Sequence, residues 1–373
     1  MAPIPEAGII NTKQYTWMLF VIITSFTAIQ IPGLVIFQAG RDAWLSVIAA
    51  WFIDVMLALV YAYMGIRFPG ENPVQYSSTI LGKFLGKVAG LLFILFYLVV
   101  STILMRGLSM QIINILLPQT PNEVILLGAF MVTAYIVRKG IEVNARICEI
   151  LGPLYLGSII ISFLLSLPFS HLIRLKPQLD QGFYPFLSGT PLILSFIGIC
   201  VSMGWYSAVC NRPENGFLAK FSAVSMGLVM VNILVLICTG VFGAEQAGNM
   251  VNPGLQLTRL IHISTYFERM EVVWIVIAIG AGIMTAVNAL WIFSLGIAQI
   301  VGLNTYKPLV YPVALIAFLL SVTSFPNNTV YLNFIFYVFP IIGILVESGL
   351  ELFLFLTALI LGKRGAGTLG NRS

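Results

Sequence analysis

The chain has 373 residues, of which 59% are hydrophobic and only 9% are charged. A soluble domain carries about 25% charged residues, so this composition excludes a soluble protein and indicates an integral membrane protein. The formal net charge of +5 does not point to a nucleic acid partner, because basic loops on the inner side of a membrane account for it.

Apolar stretches fill the chain, and each has about the 20 residues that a membrane-spanning helix needs. Because no soluble domain remains between them, we predict an all-α integral membrane protein with about ten spans. Residues 1–373 then form a single transmembrane domain. The predicted spans, numbered 1 to 10, are 15–38, 42–67, 85–115, 122–138, 145–168, 189–208, 218–243, 271–301, 307–324 and 332–362.

Lysine and arginine in short loops predict the orientation of the spans. If the N-terminus is inside, most of these residues fall on the inner side, Lys220 among them. The outer loops then hold only Arg41, Arg174, Lys176, Arg259 and Arg269. We therefore expect both termini to face the cytoplasm.

The sequence contains no phosphate-binding glycine loop, no HExxH motif and no nucleophile elbow, so an enzyme is not expected. Its cysteines have no metal or redox spacing and are expected to be buried, inert thiols. They are Cys148, Cys200, Cys210 and Cys238. We expect no metal site and no cofactor.

Span 1 contains TSFTAIQIPG (24–33), in which hydroxyls and an amide precede Pro32 and Gly33. Proline removes one backbone donor and frees a carbonyl about four residues earlier. One interpretation is a proline kink, with hydroxyls that bond back to the preceding turn. The other is a helix break at Pro32 and Gly33 that lines a binding cavity, where Thr24, Ser25, Thr27 and Gln30 supply polar partners.

Span 6 is the counterpart of span 1 if the chain consists of two repeats. Its sequence, SGTPLILSFIGICVSMGWYS (188–207), is interrupted by Gly189, Pro191, Gly198 and Gly204. Two interrupted spans in corresponding positions favour a transporter fold with inverted repeats and a midplane binding site. Repeat one would cover about 15–168 and repeat two about 189–362.

Four charged residues lie well away from the ends of the predicted spans, and such residues are functional candidates. They are Asp54 in span 2, Arg106 in span 3, and Glu347 and Glu351 on one face of span 10. They either pair between helices and fix the packing, or form a path for protons or water. Asp54 and Glu347 are the best candidates for such a path.

The segment 245–270 is long for a loop, and it includes Leu255 and Leu257 on a possible short apolar helix. It could be a lid over a cavity or a helix in the membrane interface.

The sequence resembles the B subunit of bacterial spore germinant receptors, in the amino acid–polyamine–organocation superfamily. The resemblance is carried by a series of short segments that covers nearly the whole chain. They are INTKQ (10–14) with Pro32, RFPGENPVQYSSTILGKFLGK (67–87), RKGIEVNARICEILGPLY (138–155), IRLKPQLDQGFYPFLSG (173–189), YFERMEVVWIV (266–276) and SFPNN (324–328).

This resemblance implies a five-plus-five inverted repeat of the LeuT type and a small-molecule site between spans 1, 3, 6 and 8. The residues implied for that site are Ser25, Thr27, Tyr97, Ser101, Ile197, Gly198, Thr285 and Asn288. Many family members have a carboxylate in the middle of span 6, where this chain has Cys200.

The resemblance also implies a nutrient-sensing role in the inner membrane of a spore. The expected partners are a small germinant, most simply an amino acid, an A-type membrane subunit and a C-type lipoprotein. A secondary amino acid transporter and a ligand-free scaffold are the alternatives.

Overall fold

A computed structural model describes residues 6, 8–27, 31–180, 182–260 and 270–365, without the side chains of 26, 27, 172 and 270–274. Within these ranges all regular secondary structure is helical, apart from one isolated bridge between Ile10 and Cys210.

The helices of the first half correspond to spans 1 to 5. They are α1 (Thr12–Thr27), α2 (Ile31–Ala39), α3 (Ala43–Arg67), α4 (Pro73–Leu81), α5 (Lys83–Ile115), α6 (Asn122–Lys139) and α7 (Ile141–Ser166).

The second half repeats this order, with more breaks inside the helices. Its α-helices are α8 (Tyr184–Ile197), α9 (Met203–Val209), α10 (Gly216–Phe242), α11 (Ala244–Asn249), α12 (Pro253–Arg259), α13 (Met270–Val301), α14 (Val310–Thr323), α15 (Asn328–Asn333), α16 (Phe339–Gly343) and α17 (Glu351–Ile360). A 3₁₀ segment, Gly198–Ser202, joins α8 to α9. Two π-helical segments, Phe334–Val338 and Ile344–Leu350, interrupt span 10.

Helix α4 was not predicted, since its residues were assigned to the connection between spans 2 and 3. Asn72 caps it with a capping box that includes Gln75, and Pro73 occupies its first turn. These signals are typical of a helix N-terminus. Gly82 ends the helix with a φ of +82°, so the chain turns directly into α5, against which α4 packs.

By length and composition, 7 of the described helices are apolar enough to cross a membrane, and Lys307–Thr323 is a shorter apolar helix. The surface of the bundle agrees with a lipid environment, because large apolar side chains such as Leu95, Ile161 and Leu356 are exposed. The polar side chains of the candidate site lie inside instead.

The centre of the bundle is built around α1, which packs against α7, α10 and α13. Helix α5 packs along α13, and α3 lies against α8 and α10. Spans 1, 3, 6 and 8 therefore meet in the interior, as the resemblance implies for a binding site.

Candidate functional site

Span 1 is divided into α1, which ends at Thr27, and α2, which begins at Ile31. The predicted break at Pro32 and Gly33 is corrected, because both residues lie in the first turn of α2. Proline is suited to that turn, where its missing N–H has no helical partner. A Cβ on Gly33 would lie 2.6 Å from the carbonyl oxygen of Met250, so this glycine permits close packing. Residues 28–30 and the side chain of Thr27 lie outside the described residues.

The hydroxyls near the end of α1 bond back to the preceding turn. Thr24 Oγ1 donates to the carbonyl of Phe20 at 2.7 Å, and Ser25 Oγ lies 3.3 Å from the carbonyl of Ile22. The carbonyl of Thr24 accepts a hydrogen bond of 3.2 Å from Tyr155 of α7. A neighbouring helix therefore supplies a partner for the backbone close to the interruption.

Ser25 and Thr285 connect span 1 directly to span 8. Their hydroxyl oxygens lie 2.8 Å apart, and both residues are buried. Thr285 Oγ1 also lies 3.0 Å from the carbonyl of Ala281. Because these two predicted site residues satisfy each other, a ligand that binds between them has to compete with this hydrogen bond.

Asn288, one turn along α13 from Thr285, joins three spans. Its Oδ1 accepts hydrogen bonds from Asn144 Nδ2 of α7 at 2.6 Å and from the hydroxyl of Tyr206 of α9 at 2.7 Å. Its Nδ2 donates to the carbonyl of Met284 at 2.9 Å. The side chain of Asn288 therefore connects α9, the second α-helix of span 6, to spans 5 and 8.

Tyr97 and Ser101 of α5 are both buried, but they differ in what they contact. The hydroxyl of Tyr97 donates to the carbonyl of Ile199, inside the 3₁₀ segment of span 6, at 2.9 Å. Ser101 Oγ donates to the carbonyl of Leu98 in its own helix at 2.9 Å. Tyr97 thus supports the interrupted part of span 6, whereas the hydrogen bond of Ser101 stays within span 3.

In span 6, α8 continues through Gly189 and Pro191 and ends at Ile197, and Gly198 opens the 3₁₀ segment. A Cβ on Gly198 would lie 1.8 Å from Oε2 of Glu347. Only a residue without a side chain leaves room for this carboxyl. The sequence offers Cys200 rather than an acidic residue in span 6, but the structure brings a carboxyl to the same segment from span 10.

Asp54 forms a buried ion pair with Lys220 of α10, with Oδ1 and Nζ 2.8 Å apart and both side chains at most 1% exposed. The ammonium also lies 4.2 Å from the centre of the Tyr61 ring. The hydroxyl of Tyr61 donates to the backbone carbonyl of Glu347 at 2.9 Å. Asp54 and Glu347 therefore belong to one group of buried residues, which the sequence alone did not show.

Lys220 was wrongly assigned to an inner loop. It lies inside the predicted span 7, and that position was the signal that could have identified it as the partner of an intramembrane acid. No sequence signal indicated that Tyr61 would contact Glu347, or that Tyr206 and Asn144 would contact Asn288.

The two remaining intramembrane charges have other partners. Both carboxylate oxygens of Glu351 accept from the hydroxyl of Tyr76 on α4, at 2.7 Å each. Arg106 is 7% exposed, and its Nη2 lies 3.4 Å from Oδ1 of Asn328. The described contacts therefore separate Arg106 from the group around Glu347.

The N-terminal segment crosses the face of the bundle on which α1 begins. Glu6 Oε2 accepts from Trp291 Nε1 at 3.0 Å and from the hydroxyl of Tyr306 at 2.9 Å. Ile10 donates its N–H to the carbonyl of Val209 at 3.0 Å. Burial and the neighbouring Glu6 carboxylate raise the pKa of Tyr306, which lies in the loop before span 9. Its hydroxyl therefore remains a donor, and Glu6 and Ile10 attach the described part of the segment to this side of the bundle.

The opposite face carries an open cavity of about 830 Å³. Basic side chains dominate its polar lining, namely Arg41, Arg174 and Lys176, with Glu245 also present. Part of segment 245–270 packs against the bundle, since Leu255 and Leu257 of α12 are buried against protein. The described part of segment 245–270 therefore packs on the protein rather than lying free in the interface, and residues 261–269 lie outside the described residues.

The fold matches those of solved transporters. The structure of MhsT in complex with L-phenylalanine matches with a TM-score of 0.66 at 17% sequence identity, covering 93% of this chain and 88% of that one. A Na⁺-coupled sialic acid symporter matches with a TM-score of 0.68 at 11% identity, covering 93% and 79%. The fold is therefore that of multi-pass membrane transport proteins with a five-plus-five inverted repeat.

Sequence comparison identifies the family to which the chain belongs within this fold class. A model of the spore germination protein (spore permease) family matches residues 9–330, so the chain belongs to this family. Spore germination protein KB of Bacillus subtilis (strain 168) is 25% identical over 375 residues, which covers 99% of each chain. Spore germination protein YndE of the same organism is 25% identical over 321 residues, covering 86% of this chain and 88% of the relative. Family and fold are those of permeases and transporters, not of enzymes.

Proposed function

We propose that this chain is the nutrient-sensing, permease-like subunit of a spore germinant receptor. A small germinant, most simply an amino acid, binds between spans 1, 3, 6 and 8. The observation that carries the proposal is the 2.8 Å hydrogen bond between Ser25 and Thr285, which joins the end of α1 to span 8. These two hydroxyls lie beside an interrupted helix, and a ligand can replace their mutual hydrogen bond with hydrogen bonds to itself.

The chemistry of this centre suits a small zwitterion. An α-carboxylate is stabilised by free N–H groups at the N-terminal end of a broken helix. An ammonium group is stabilised by hydroxyls and by carbonyls that are freed near such a break. Ser25 and Thr285 supply the hydroxyls, and the 3₁₀ segment of span 6, which Gly198 opens, packs against α1.

The basic cavity on the opposite face supports an entry route from that side. Arg41, Arg174 and Lys176 give it a positive potential, which raises the local concentration of carboxylate-bearing solutes. On the other side, Glu6 attaches the N-terminal segment to Trp291 and Tyr306. A germinant that arrives through the cavity would shift the population of conformers toward the one it binds better.

The proposed setting is the inner membrane of the spore, with both termini in the cytoplasm. An A-type membrane subunit and a C-type lipoprotein are the proposed partners that receive the conformational shift. Membership of the spore germination protein family supports this setting.

Deletion of the gene in the organism that encodes this chain tests the proposal. Germination is followed by the fall in optical density on single amino acids, sugars and nucleosides. We expect loss of the response to one nutrient and its return with the wild-type gene. Normal germination on every nutrient, in a strain that also lacks the other receptor genes of this family, would overturn the proposal.

A secondary amino acid transporter is the second candidate, because the fold is shared with symporters. Uptake of the labelled nutrient by cells that produce only this chain distinguishes the two. A sensor binds the nutrient without accumulating it, whereas a transporter accumulates it against a gradient.

A further inference from the structure

Among the described residues, the buried carboxyl of Glu347 lacks the partners that a carboxylate needs. It is 1% exposed, and its Oε1 has no hydrogen-bond partner among the described residues. Its other oxygen, Oε2, points at Gly198 in the interrupted part of span 6. An ionised carboxylate without donors or a paired cation is strongly disfavoured away from water.

The neighbouring cation is already engaged. Lys220 lies 2.8 Å from Asp54 Oδ1, so these two opposite charges neutralise each other. If all three groups were ionised, the buried group of Asp54, Lys220 and Glu347 would carry one uncompensated negative charge. One added proton makes it neutral, and Glu347 is its natural position because Asp54 already has a direct ion-pair partner.

The other titratable groups around Glu347 do not remove this charge. Those that face it are uncharged hydroxyls or a thiol at neutral pH, or a second acid. They are Tyr61 on α3, Tyr97 on α5, Cys200 in the 3₁₀ segment, and Glu351 on its own helix with Tyr76 of α4. Each of these groups is buried as well.

The local backbone of both helices is irregular at this point. Glu347 lies in the π-helical segment Ile344–Leu350, and Gly198 starts the 3₁₀ segment of span 6. Irregular helical turns of this kind often occur at functional sites. Glu347 thus faces the interrupted segment of span 6.

We propose that Glu347 is a proton-binding site whose occupancy is coupled to the position of Gly198 in span 6. In the arrangement described, the proton is bound to the carboxyl. When Gly198 moves away and water reaches Glu347, the O–H bond breaks, its electron pair remains on the carboxylate, and water accepts the proton as hydronium. The inference does not depend on the identity of the nutrient or on a sensing role.

Infrared spectroscopy of the purified full-length protein in lipid nanodiscs tests the proposal. At neutral pH the wild type should show the C=O stretching band of a protonated carboxylic acid, with a shift in D₂O. Glu347→Gln should remove that band. Glu351→Gln is the matched control, because Glu351 is equally buried one turn away but accepts hydrogen bonds from Tyr76, so the Glu347 band should persist there.

A spectrum in which Glu347→Gln removes no such band would overturn the proposal. If that variant does not fold, Glu347→Asp replaces it, and the band should then change frequency. An unchanged frequency would also count against a proton on this residue.

The coupling to span 6 has its own test. Gly198→Ala places a methyl group against the Glu347 carboxyl and should shift the frequency of the band. Gly204→Ala is the control in the same span, because its Cβ would lie 2.7 Å from Pro73 rather than near Glu347, and it should leave the band unchanged. Equal spectra for the two glycine variants would refute the coupling.

Discussion

The ion pair between Asp54 and Lys220 gives the sharpest prediction for stability. Lys220→Met leaves Asp54 as an unpaired acid in the interior, and Asp54→Asn leaves an unpaired ammonium. Since both side chains are at most 1% exposed, we expect each single change to cost about 3–5 kcal/mol of unfolding free energy.

The double variant Asp54→Asn/Lys220→Met should recover most of this loss. It removes both charges, so neither is left buried without a partner, and similar replacements elsewhere are often neutral. Some loss remains, because the ammonium also lies 4.2 Å from the Tyr61 ring centre. The two single costs should therefore be far from additive.

Thermal unfolding of the purified protein in detergent measures these effects. At the roughly 1.3 °C per kcal/mol that the unfolding entropy of a chain this long implies, each single variant should lower Tm by about 4–6 °C. Lys13→Met is the matched control, because Lys13 pairs with Glu149 at a similar 3.0 Å but its side chain is 70% exposed. That pair should contribute less than about 1 kcal/mol.

Additive losses in the double variant would refute this reasoning, since they would show that the two groups do not act as a pair. A single-variant Tm within the range of the Lys13→Met control would refute it as well.

Three further predictions concern the site and its supports. Thr285→Val removes the hydroxyl that contacts Ser25, so the nutrient concentration for half-maximal germination should rise about tenfold. Thr133→Val, a buried control whose hydroxyl bonds only to its own helix, should leave that concentration unchanged. Tyr97→Phe removes the hydrogen bond to span 6 and should lower the unfolding free energy by about 1 kcal/mol in the same thermal assay. Glu6→Ala removes the acceptor of Trp291 Nε1, so the N-terminal segment should be cleaved faster by added protease; unchanged cleavage would show that Glu6 does not hold it.

Hydropathy was sufficient to predict the spans, because a helix in lipid must be apolar over a fixed length. The observed helices agree with the predicted spans to within a few residues. The interruptions of spans 1 and 6 were also readable from proline, glycine and clustered hydroxyls. The break in span 1 was placed slightly too late, because Pro32 suits the start of a helix as well as its end.

Helix α4 was missed although its N-terminal pattern was present. Asn72, Pro73 and Gln75 form a capping signal, but the short amphipathic segment has no apolar stretch of spanning length. Hydropathy therefore assigned it to a loop.

The contacts between distant residues could not be predicted from the sequence. Asp54 meets Lys220 over a separation of 166 residues, and Glu347 reaches Gly198 from another span. No local sequence pattern predicts such contacts, because they depend on how the spans pack against one another in the bundle. Ser25 and Thr285 do contact each other, and their role in binding a ligand stays a prediction.

Thermal stabilisation of the purified protein by small molecules tests the central claim most directly. A ligand that binds only the folded state at about 100 times its Kd adds roughly 2.7 kcal/mol of stability. Amino acids, sugars and nucleosides are screened singly with the wild type and with Ser25→Leu/Thr285→Leu, which fills the space between spans 1 and 8. The account predicts that one nutrient raises the Tm of the wild type but not of the variant. Equal stabilisation of a folded double variant would show that the nutrient binds elsewhere and would contradict the proposed site.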